Sequence, residues 1–202
     1  MQVDPLLVYE QAGGRNNVAN RPRRPVLAWE PPVLSDVPDQ HRGHAPQTVG
    51  CAVVTVSDTR TPETDLGGGT AADLLSGAGH RVIVREIVPD EPARIQRLLG
   101  DLCGRDDVQA VLLTGGTGLG SRDQTFETVD ALLEKRLPGF GELFRMLSFE
   151  EIGPAAMLSR ATAGVVGRTV VLSVPGSPGA VRLALEKLIL PELGHLVREA
   201  TR

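Results

Sequence analysis

The sequence predicts an α/β protein with three layers, in which a mostly parallel sheet is flanked by helices. Short, strongly apolar segments alternate along the chain with segments whose apolar residues recur at helical spacing. Alternation of this kind is typical of a sheet covered on both faces, because each helix must bury its apolar side against the strands. Polar or glycine-rich turns follow the predicted strands.

The strands are predicted from apolar runs and the residues that end them. The first covers 49–56 and is followed by Ser57, and the second covers 82–88 and stops at Pro89. The third covers 108–113 and ends in a glycine-rich turn. A last strand-like stretch covers 165–174, around Gly167 and Arg168.

Helices are predicted between and after these strands, over the segments 71–78, 91–103, 126–135 and 177–200, with helical turns in 139–149. The clearest amphipathic pattern belongs to the second helix, where the apolar residues at helical spacing are Ile95, Leu98, Leu99 and Leu102. Gly79 is expected to terminate the first helix, and Pro191 to interrupt the last.

Residues 1–47 differ in composition from the rest of the chain. They contain seven of the fifteen prolines, show no periodic apolar face, and balance five arginines with five acidic residues. Such a segment buries too little apolar surface to offset the entropy of ordering. We therefore predict a disordered, Pro-rich N-terminal arm over 1–47 and a single α/β domain over 48–202.

Composition limits the class of protein. A net charge of −4 and a pI near 5.6 argue against a protein that coats nucleic acid. No run of about 18 apolar residues is present, so no membrane span is expected. Asp4 and Pro5 stand where a signal peptide would be basic and then apolar, and a cytoplasmic location is therefore expected.

Cysteine and histidine give no sign of a metal site. Cys51 and Cys103 are far apart and fall at apolar positions, which predicts core thiols. The histidines have no ligand spacing and are all predicted to be surface residues: His41, His44, His80 and His195.

The most informative segment follows the third strand and contains Thr114, Gly115, Gly116, Thr117 and Gly118, then Ser121, Arg122 and Asp123. Glycines allow backbone amides to crowd around an anion, and the next helix adds the positive end of its dipole. Ser121 stands where a dinucleotide fingerprint needs glycine and where a P-loop needs lysine, so neither motif is supported. The remaining alternatives are a phosphate-binding loop and a simple tight turn.

Other candidate residues also follow predicted strands. Because the carboxyl ends of parallel strands share one rim, Ser57, Asp90 and the glycine-rich loop are expected to converge with the turn Pro175, Gly176 and Ser177. Each polar residue has a structural alternative as a helix cap: Asp123 for the helix after the loop, Asp90 for the helix begun by Pro92, and Ser177 for the last helix.

Several motifs in order resemble the MoaB/MogA family. These are TGGTGLGSRD at 114–123, PGFGELFR at 138–145, RMLSFEEIG at 145–153, LSRA at 158–161 and VPGSP at 174–178. The resemblance covers about 49–197, and the RMLSFEEIG stretch is more similar to the MoaB branch than to the MogA branch. It implies the molybdopterin-binding MoaB/MogA-like fold and a homo-oligomer, with a hexamer preferred over a trimer.

The resemblance also implies an activity, that of a molybdopterin adenylyltransferase in molybdenum cofactor biosynthesis. Molybdopterin would be the substrate and ATP the co-substrate, with Asp90 and Asp123 as catalytic positions. A pair of carboxylates suits Mg²⁺, which prefers hard oxygen ligands. The alternative is a non-catalytic molybdopterin-binding protein of the MoaB branch. Arg145 and Arg160 match family positions, either as functional residues or as ion-pair partners.

Two residues depart from the family pattern. Phe126 stands where proline is usual, which is expected to reshape the wall of the pocket. Gly179 stands where a basic residue is frequent, which removes one expected phosphate contact.

Overall fold

The structure is a computed structural model that describes residues 45–202, and within that range six strands form one mixed sheet. In chain order they are β1 (Gly50–Val56), β2 (Arg81–Val88), β3 (Ala110–Thr114), β4 (Lys135–Arg136), β5 (Thr162–Val166) and β6 (Thr169–Val174). Their spatial order is β2-β1-β3-β6-β5-β4. The strands β2, β1, β3 and β6 are parallel to one another, whereas β5 is antiparallel to both β6 and β4. The prediction of a mostly parallel sheet is confirmed.

Helices connect the strands and cover both faces of the sheet. They are α1 (Leu66–Gly77), α2 (Pro92–Cys103), α3 (Thr125–Leu132), α4 (Pro138–Ile152), α5 (Pro178–Ala184) and α6 (Leu190–Ala200). A 3₁₀ turn (Gly153–Leu158) follows α4, and a π-helical segment (Leu185–Ile189) joins α5 to α6.

Two apolar cores explain why the central strands are apolar throughout. In β1, Cys51 and Val53 point into the core beneath α1, α4, α5 and α6, while Ala52 and Val54 point into the core beneath α2 and α3. Side chains alternate between the faces of a strand, and here each face is covered, so every position in β1 is buried. The predicted three-layer arrangement is therefore present.

Three predicted boundaries are wrong. Helix α1 begins at Leu66 rather than at 71, because the Asp65 side chain caps it through the Gly68 amide. The stretch 165–174 is a hairpin of β5 and β6, and its turn contains Gly167 at φ 58°. The third helix ends at Leu132, because the next residues turn into the short edge strand β4.

The last helical region is interrupted beside Pro191, as predicted. The irregular part is the π-helical segment that ends at Ile189, two residues before Pro191. Ala184, Ile189 and Leu190 all keep right-handed helical angles, so the helical backbone continues through the irregularity into α6. The predicted disordered arm lies almost wholly outside the described residues. Of its final residues, Pro46 lies close to α6: a Cβ added to Gly194 would lie 2.4 Å from the Pro46 carbonyl oxygen.

The thiols and histidines occupy different environments from one another. Cys51 is a core thiol as predicted, and burial raises its pKa to about 12. Cys103 is half-buried. His80 and His195 are both half-buried at the surface. His195 contacts Glu192, and His41 and His44 lie outside the described residues.

Within residues 45–202, no helix is both long enough and apolar enough to cross a membrane.

His80 gives the fold a predicted pH dependence. Its Nδ1 accepts a hydrogen bond from the Val49 amide, and burial lowers its pKa. Below the ordinary histidine pKa of about 6.5, the unfolded chain therefore binds more protons than the folded protein, and the unfolding free energy falls. The stability associated with the neutral form of His80 is fully present above about pH 6.5 and is lost as the pH falls below that value.

His80→Gln keeps a hydrogen-bond acceptor but cannot titrate. We therefore expect its unfolding free energy to fall less than that of the wild-type protein when the pH is lowered from about 7 to about 5.5. Urea unfolding of both proteins across this range measures the difference. Parallel pH dependences in the two proteins would contradict the role assigned to His80.

Candidate functional site

A cleft of about 520 Å³ opens at the carboxyl ends of β1, β3 and β6. The residues that follow these strands form its floor and walls. Of the predicted site residues, those that line the cleft are Ser57, Thr114, Gly115, Gly116, Thr117, Gly118, Asp123, Pro175, Gly176 and Ser177. Parallel strands end at the same rim, which is why segments separated by more than a hundred residues meet here.

The β3–α3 loop (115–124) presents unbonded backbone amides to this cleft. Gly115 and Gly116 have positive φ values of 100° and 61°, which L side chains rarely adopt. Gly116 is also enclosed, since a Cβ there would lie 2.1 Å from Thr125 Oγ1. Among the described residues, the amides of Gly116, Thr117 and Gly118 donate no hydrogen bond. An array of amides with no internal acceptor is suited to an anion.

The β6–α5 loop (175–177) packs against the first loop. A Cβ on Gly176 would lie 3.0 Å from Gly115 Cα, so the two backbones touch. The Thr114 hydroxyl donates to the Pro175 carbonyl at 3.4 Å. Ser177 caps α5 by accepting from the Ala180 amide at 3.3 Å, which confirms the capping alternative for this residue.

Asp90 is a buried carboxylate beneath the glycine-rich loop. Its side chain accepts from the Gln124 amide at 3.3 Å and from the Thr125 hydroxyl at 3.4 Å, at the start of α3. The alternative that it caps α2 is wrong, because Glu91 occupies that position. Burial raises the pKa of Asp90, and the charges of Asp123 and Asp58 raise it further, against the opposing hydrogen bonds.

Asp123 lies at the far end of the same loop. Its carboxylate accepts from the Gly120 amide at 3.0 Å and lines the cleft. The alternative that it caps α3 is also wrong, since that helix begins after Gln124 and has no side-chain cap. Asp90 itself does not line the cleft: its carboxylate lies behind the loop, where a Cβ added to Gly116 would lie 2.2 Å from Oδ2.

Arg122 and Ser121 do not line the cleft. The Arg122 guanidinium donates to Asp58 at 2.9 Å, and both side chains are largely exposed. Asp58 in turn accepts from the Asp90 amide at 3.1 Å, so Arg122 connects the β3–α3 loop to the end of β2. Ser121 is exposed, and its carbonyl accepts from the Gln124 side chain.

The sequence analysis missed Asp65, a buried residue that lines the cleft. Its carboxylate accepts from the Thr55 hydroxyl at 2.9 Å, the Gly68 amide at 2.9 Å and the Arg85 guanidinium at 3.1 Å. An aspartate directly before a helix is a typical cap, and this signal was available. The glycines of 67–69 obscure this signal, because three consecutive glycines are typical of a loop.

A second cavity of about 670 Å³ adjoins the cleft and was also not predicted. Ser57 and Arg60 line both spaces, while Arg85 lines only the second. The Arg60 guanidinium donates to the Thr64 carbonyl at 3.0 Å. Two cationic side chains therefore stand beside the amide-lined cleft.

Arg145 and Arg160, which match family positions, lie in different parts of the structure. Arg160 pairs with Glu127 and donates to carbonyls of the β3–α3 loop. Phe126 forms part of this contact, because the Arg160 guanidinium lies over its ring, 5.0 Å from the centroid. Arg145 is half-buried on α4 and does not line the cleft.

The carboxylate pair is compatible with Mg²⁺ but does not form a complete protein cage. Among residues 45–202, no group of three or more His, Cys, Asp or Glu side chains is arranged to hold a metal. Mg²⁺ usually retains waters and binds one or two carboxylates together with substrate phosphates. Asp90 and Asp123 carry hard carboxylate oxygens, and the neighbouring amides of Gly116, Thr117 and Gly118 donate no hydrogen bond to any described residue.

The chain is similar in sequence to known proteins of one family. Residues 52–195 match the family model described as "Probable molybdopterin binding domain". The protein named molybdenum cofactor biosynthesis protein B from Bacillus anthracis is 55% identical over 164 residues, which cover 81% of this chain and 97% of that protein.

Solved structures show the same fold. A crystal structure of a molybdenum cofactor biosynthesis protein B is 55% identical with a TM-score of 0.75, covering 77% of this chain and 98% of that one. The tungsten cofactor synthesizing protein MoaB from Pyrococcus furiosus is 37% identical with a TM-score of 0.70, covering 78% and 100%. The match in sequence and fold extends over nearly the whole length of these relatives, and the chain therefore belongs to the MoaB/MogA family of molybdenum cofactor biosynthesis proteins.

Proposed function

We propose that the protein is a molybdopterin adenylyltransferase, which transfers AMP from Mg-ATP to the terminal phosphate of molybdopterin. The observation that carries this proposal is the joining of two phosphate-binding features in one cleft. The β3–α3 loop, with its unbonded amides, packs against the glycine backbone of the β6–α5 loop; Asp123 lines the same cleft and the Asp90 carboxylate lies directly behind Gly116. Relatives named for molybdenum cofactor biosynthesis support the choice of substrate.

The reaction requires positioning more than covalent participation by the protein. A molybdopterin phosphate oxygen attacks the α-phosphorus of ATP, a new P–O bond forms, and the bond to the β-phosphate breaks. Pyrophosphate leaves with the electron pair of that bond. The protein must bring two polyanions together, and backbone amides do so without adding competing charge.

Each part of the cleft has a role in this proposal. The amides of Gly116, Thr117 and Gly118 bind phosphate oxygens, and the Thr114–Pro175 contact fixes the distance between the two loops. Asp90 and Asp123 are the residues that would hold Mg²⁺. The bound metal would neutralise charge on the reacting phosphates. Arg60, which lies between the two cavities, is placed to bind the leaving pyrophosphate.

Assembly of the protein into a homo-oligomer is a second part of the proposal. Exposed large apolar side chains are concentrated in α4 and the 3₁₀ turn: Leu143, Met146, Phe149, Ile152 and Met157. Met146 is 54% exposed and Phe149 is 59% exposed. A concentration of exposed apolar side chains is typical of an interaction site, and a second copy of the chain is the partner that we expect. We prefer a hexamer, with a trimer as the alternative.

Asp123→Asn is expected to bind molybdopterin nearly normally and to lose adenylyl transfer by about 100-fold or more. Asparagine can still accept from the Gly120 amide, so the loop is retained while the metal loses a charged ligand. Chromatographic detection of adenylylated molybdopterin, after incubation with molybdopterin, ATP and Mg²⁺, measures the loss.

Asp107→Asn is the matched control for this change, because Asp107 is an exposed carboxylate paired with Arg105 and lies outside the cleft. Full activity in the Asp123 variant would exclude the catalytic role. Molybdopterin binding without product in the wild-type protein would favour the non-catalytic alternative.

Gly116→Ala is expected to weaken molybdopterin binding by at least tenfold, about 1.4 kcal/mol. Its Cβ would lie 2.1 Å from Thr125 Oγ1 and 2.2 Å from Asp90 Oδ2, at a φ of 61° that alanine tolerates poorly. The loop must therefore shift. Gly179→Ala is the control, because no atom lies within 4 Å of the added methyl group. Equilibrium dialysis measures the molybdopterin affinity of the two variants. Equal affinities would contradict the proposal that the backbone of the β3–α3 loop binds the phosphate.

Combining Met146→Glu with Phe149→Glu is expected to dissociate the oligomer, since charges would enter an apolar interface. Sedimentation velocity at micromolar concentration should show a hexamer for the wild-type protein and a smaller species for the variant. Glu142→Gln, an exposed change on the same helix, is the control. A monomeric wild-type protein would refute the proposed assembly.

A further inference from the structure

Arg160 reaches the β3–α3 loop from a distant part of the chain. It follows the 3₁₀ turn after α4, and its side chain is only 21% exposed. Nε donates to the Thr117 carbonyl at 2.8 Å, and Nη2 donates to the Gly118 carbonyl at 2.5 Å. One guanidinium thus binds two consecutive peptide groups of the loop.

The guanidinium is itself held by the first turn of α3. Nη1 and Nη2 donate to the Glu127 carboxylate, and the plane lies 5.0 Å from the centroid of the Phe126 ring. Arginine suits such a position because its planar fork offers five donors and also stacks on an aromatic ring. Two anchors on α3 and two bonds to the loop leave the group little freedom to rotate.

These bonds determine where the loop amides point. In a trans peptide, the C=O and the following N–H are directed to opposite sides. When the Thr117 and Gly118 carbonyls point towards Arg160, the amides of Gly118 and Leu119 point away from it. Gly118 lines the cleft, and its amide donates no hydrogen bond to any described residue.

Among the described residues, only Arg160 donates hydrogen bonds to the Thr117 and Gly118 carbonyls. The other bonds to carbonyls of the segment 116–123 come from within the segment or from the first residues after it: Asp123 to Gly120, Gln124 to Ser121 and Thr125 to Gly116. Without Arg160, the two carbonyls would have no partner in this part of the chain, and their peptide groups would be free to rotate.

We propose that Arg160 is a positioning residue that aims the Gly118 amide at a phosphate group in the cleft. Glu127 and Phe126 fix the guanidinium for this purpose. The inference rests on the proposed function in one respect, that the cleft receives a phosphate-bearing ligand. It does not require adenylyl transfer to occur. The competing explanation is that Arg160 only ties the 3₁₀ turn to α3.

A lysine substitution for Arg160 separates the effect of loop orientation from the effect of positive charge. Arg160→Lys keeps the positive charge, but a single ammonium cannot span two carbonyls in a fixed plane and stack on Phe126. The matched control is Arg136→Lys. Arg136 pairs with the Asp130 carboxylate and donates to the Asp130 carbonyl, which is the same chemistry outside the cleft.

The experiment is titration of the full chain, labelled with ¹⁵N-glycine, with inorganic phosphate while the Gly118 amide is followed by NMR. Gly100, which lies on α2, is the internal reference. We expect the Gly118 signal to shift in the wild-type and Arg136→Lys proteins. In Arg160→Lys we expect the phosphate dissociation constant to rise about tenfold, with thermal stability close to that of Arg136→Lys. Phe126→Leu, which removes the ring but keeps apolar bulk, should give an intermediate constant.

The outcomes separate this inference from the proposed activity. A Gly118 response that is lost in Arg160→Lys supports positioning even if no adenylylated product forms. An unchanged phosphate dissociation constant and an unchanged Gly118 shift in Arg160→Lys would overturn it, whatever the activity. If Arg160→Lys unfolds, Phe126→Leu decides, and wild-type phosphate affinity in that variant would overturn the inference.

Discussion

The packing of glycine backbone from three parts of the chain at the ends of β1, β3 and β6 is the constraint on which the site depends. A Cβ on Gly115 would lie 2.4 Å from the Val56 carbonyl oxygen, and a Cβ on Gly67 would lie 2.8 Å from the Gly176 carbonyl oxygen. Neighbouring parallel strands lie only about 4.8 Å apart, and the loops that leave them meet at once. Side chains at these positions would separate the loops and remove the cleft that they share.

The buried Asp90 carboxylate opposes the stability of the free protein. Asp90 is buried, and the charges of Asp123 and Asp58 act on it unfavourably. The start of α3 offsets part of this cost, because the Gln124 amide and the Thr125 hydroxyl donate to Asp90 and the positive end of the helix lies nearby. A bound cation would relieve the rest. Strain of this electrostatic kind is common at functional sites.

Local sequence signals predicted the elements better than they predicted the partners of individual side chains. The strands β1, β2 and β3 and the helix α2 were predicted within about two residues, since period and apolar content suffice for buried elements. The start of α1 was missed, because three consecutive glycines are typical of a loop, and only the contacts of Gly67 and Gly68 with the β6–α5 loop, Thr55 and Asp65 make them part of a helix. Asp90 and Asp123 look like helix caps from sequence. In the structure, Asp90 bonds to residues 34 and 35 positions away, a distance that no local pattern reveals.

The sequence by itself determined the alternation of strands and helices, the glycine-rich loop after β3 and the rim at which the candidate residues meet. These follow from short-range properties: apolar periodicity, the conformations open to glycine, and the common direction of parallel strands. The tertiary structure decided which side chains face one another. It buried Asp65, paired Arg122 with Asp58 and brought Arg160 onto the Thr117 and Gly118 carbonyls. Such contacts depend on how the layers pack, because their partners are far apart in the chain and are brought together only when both cores are filled.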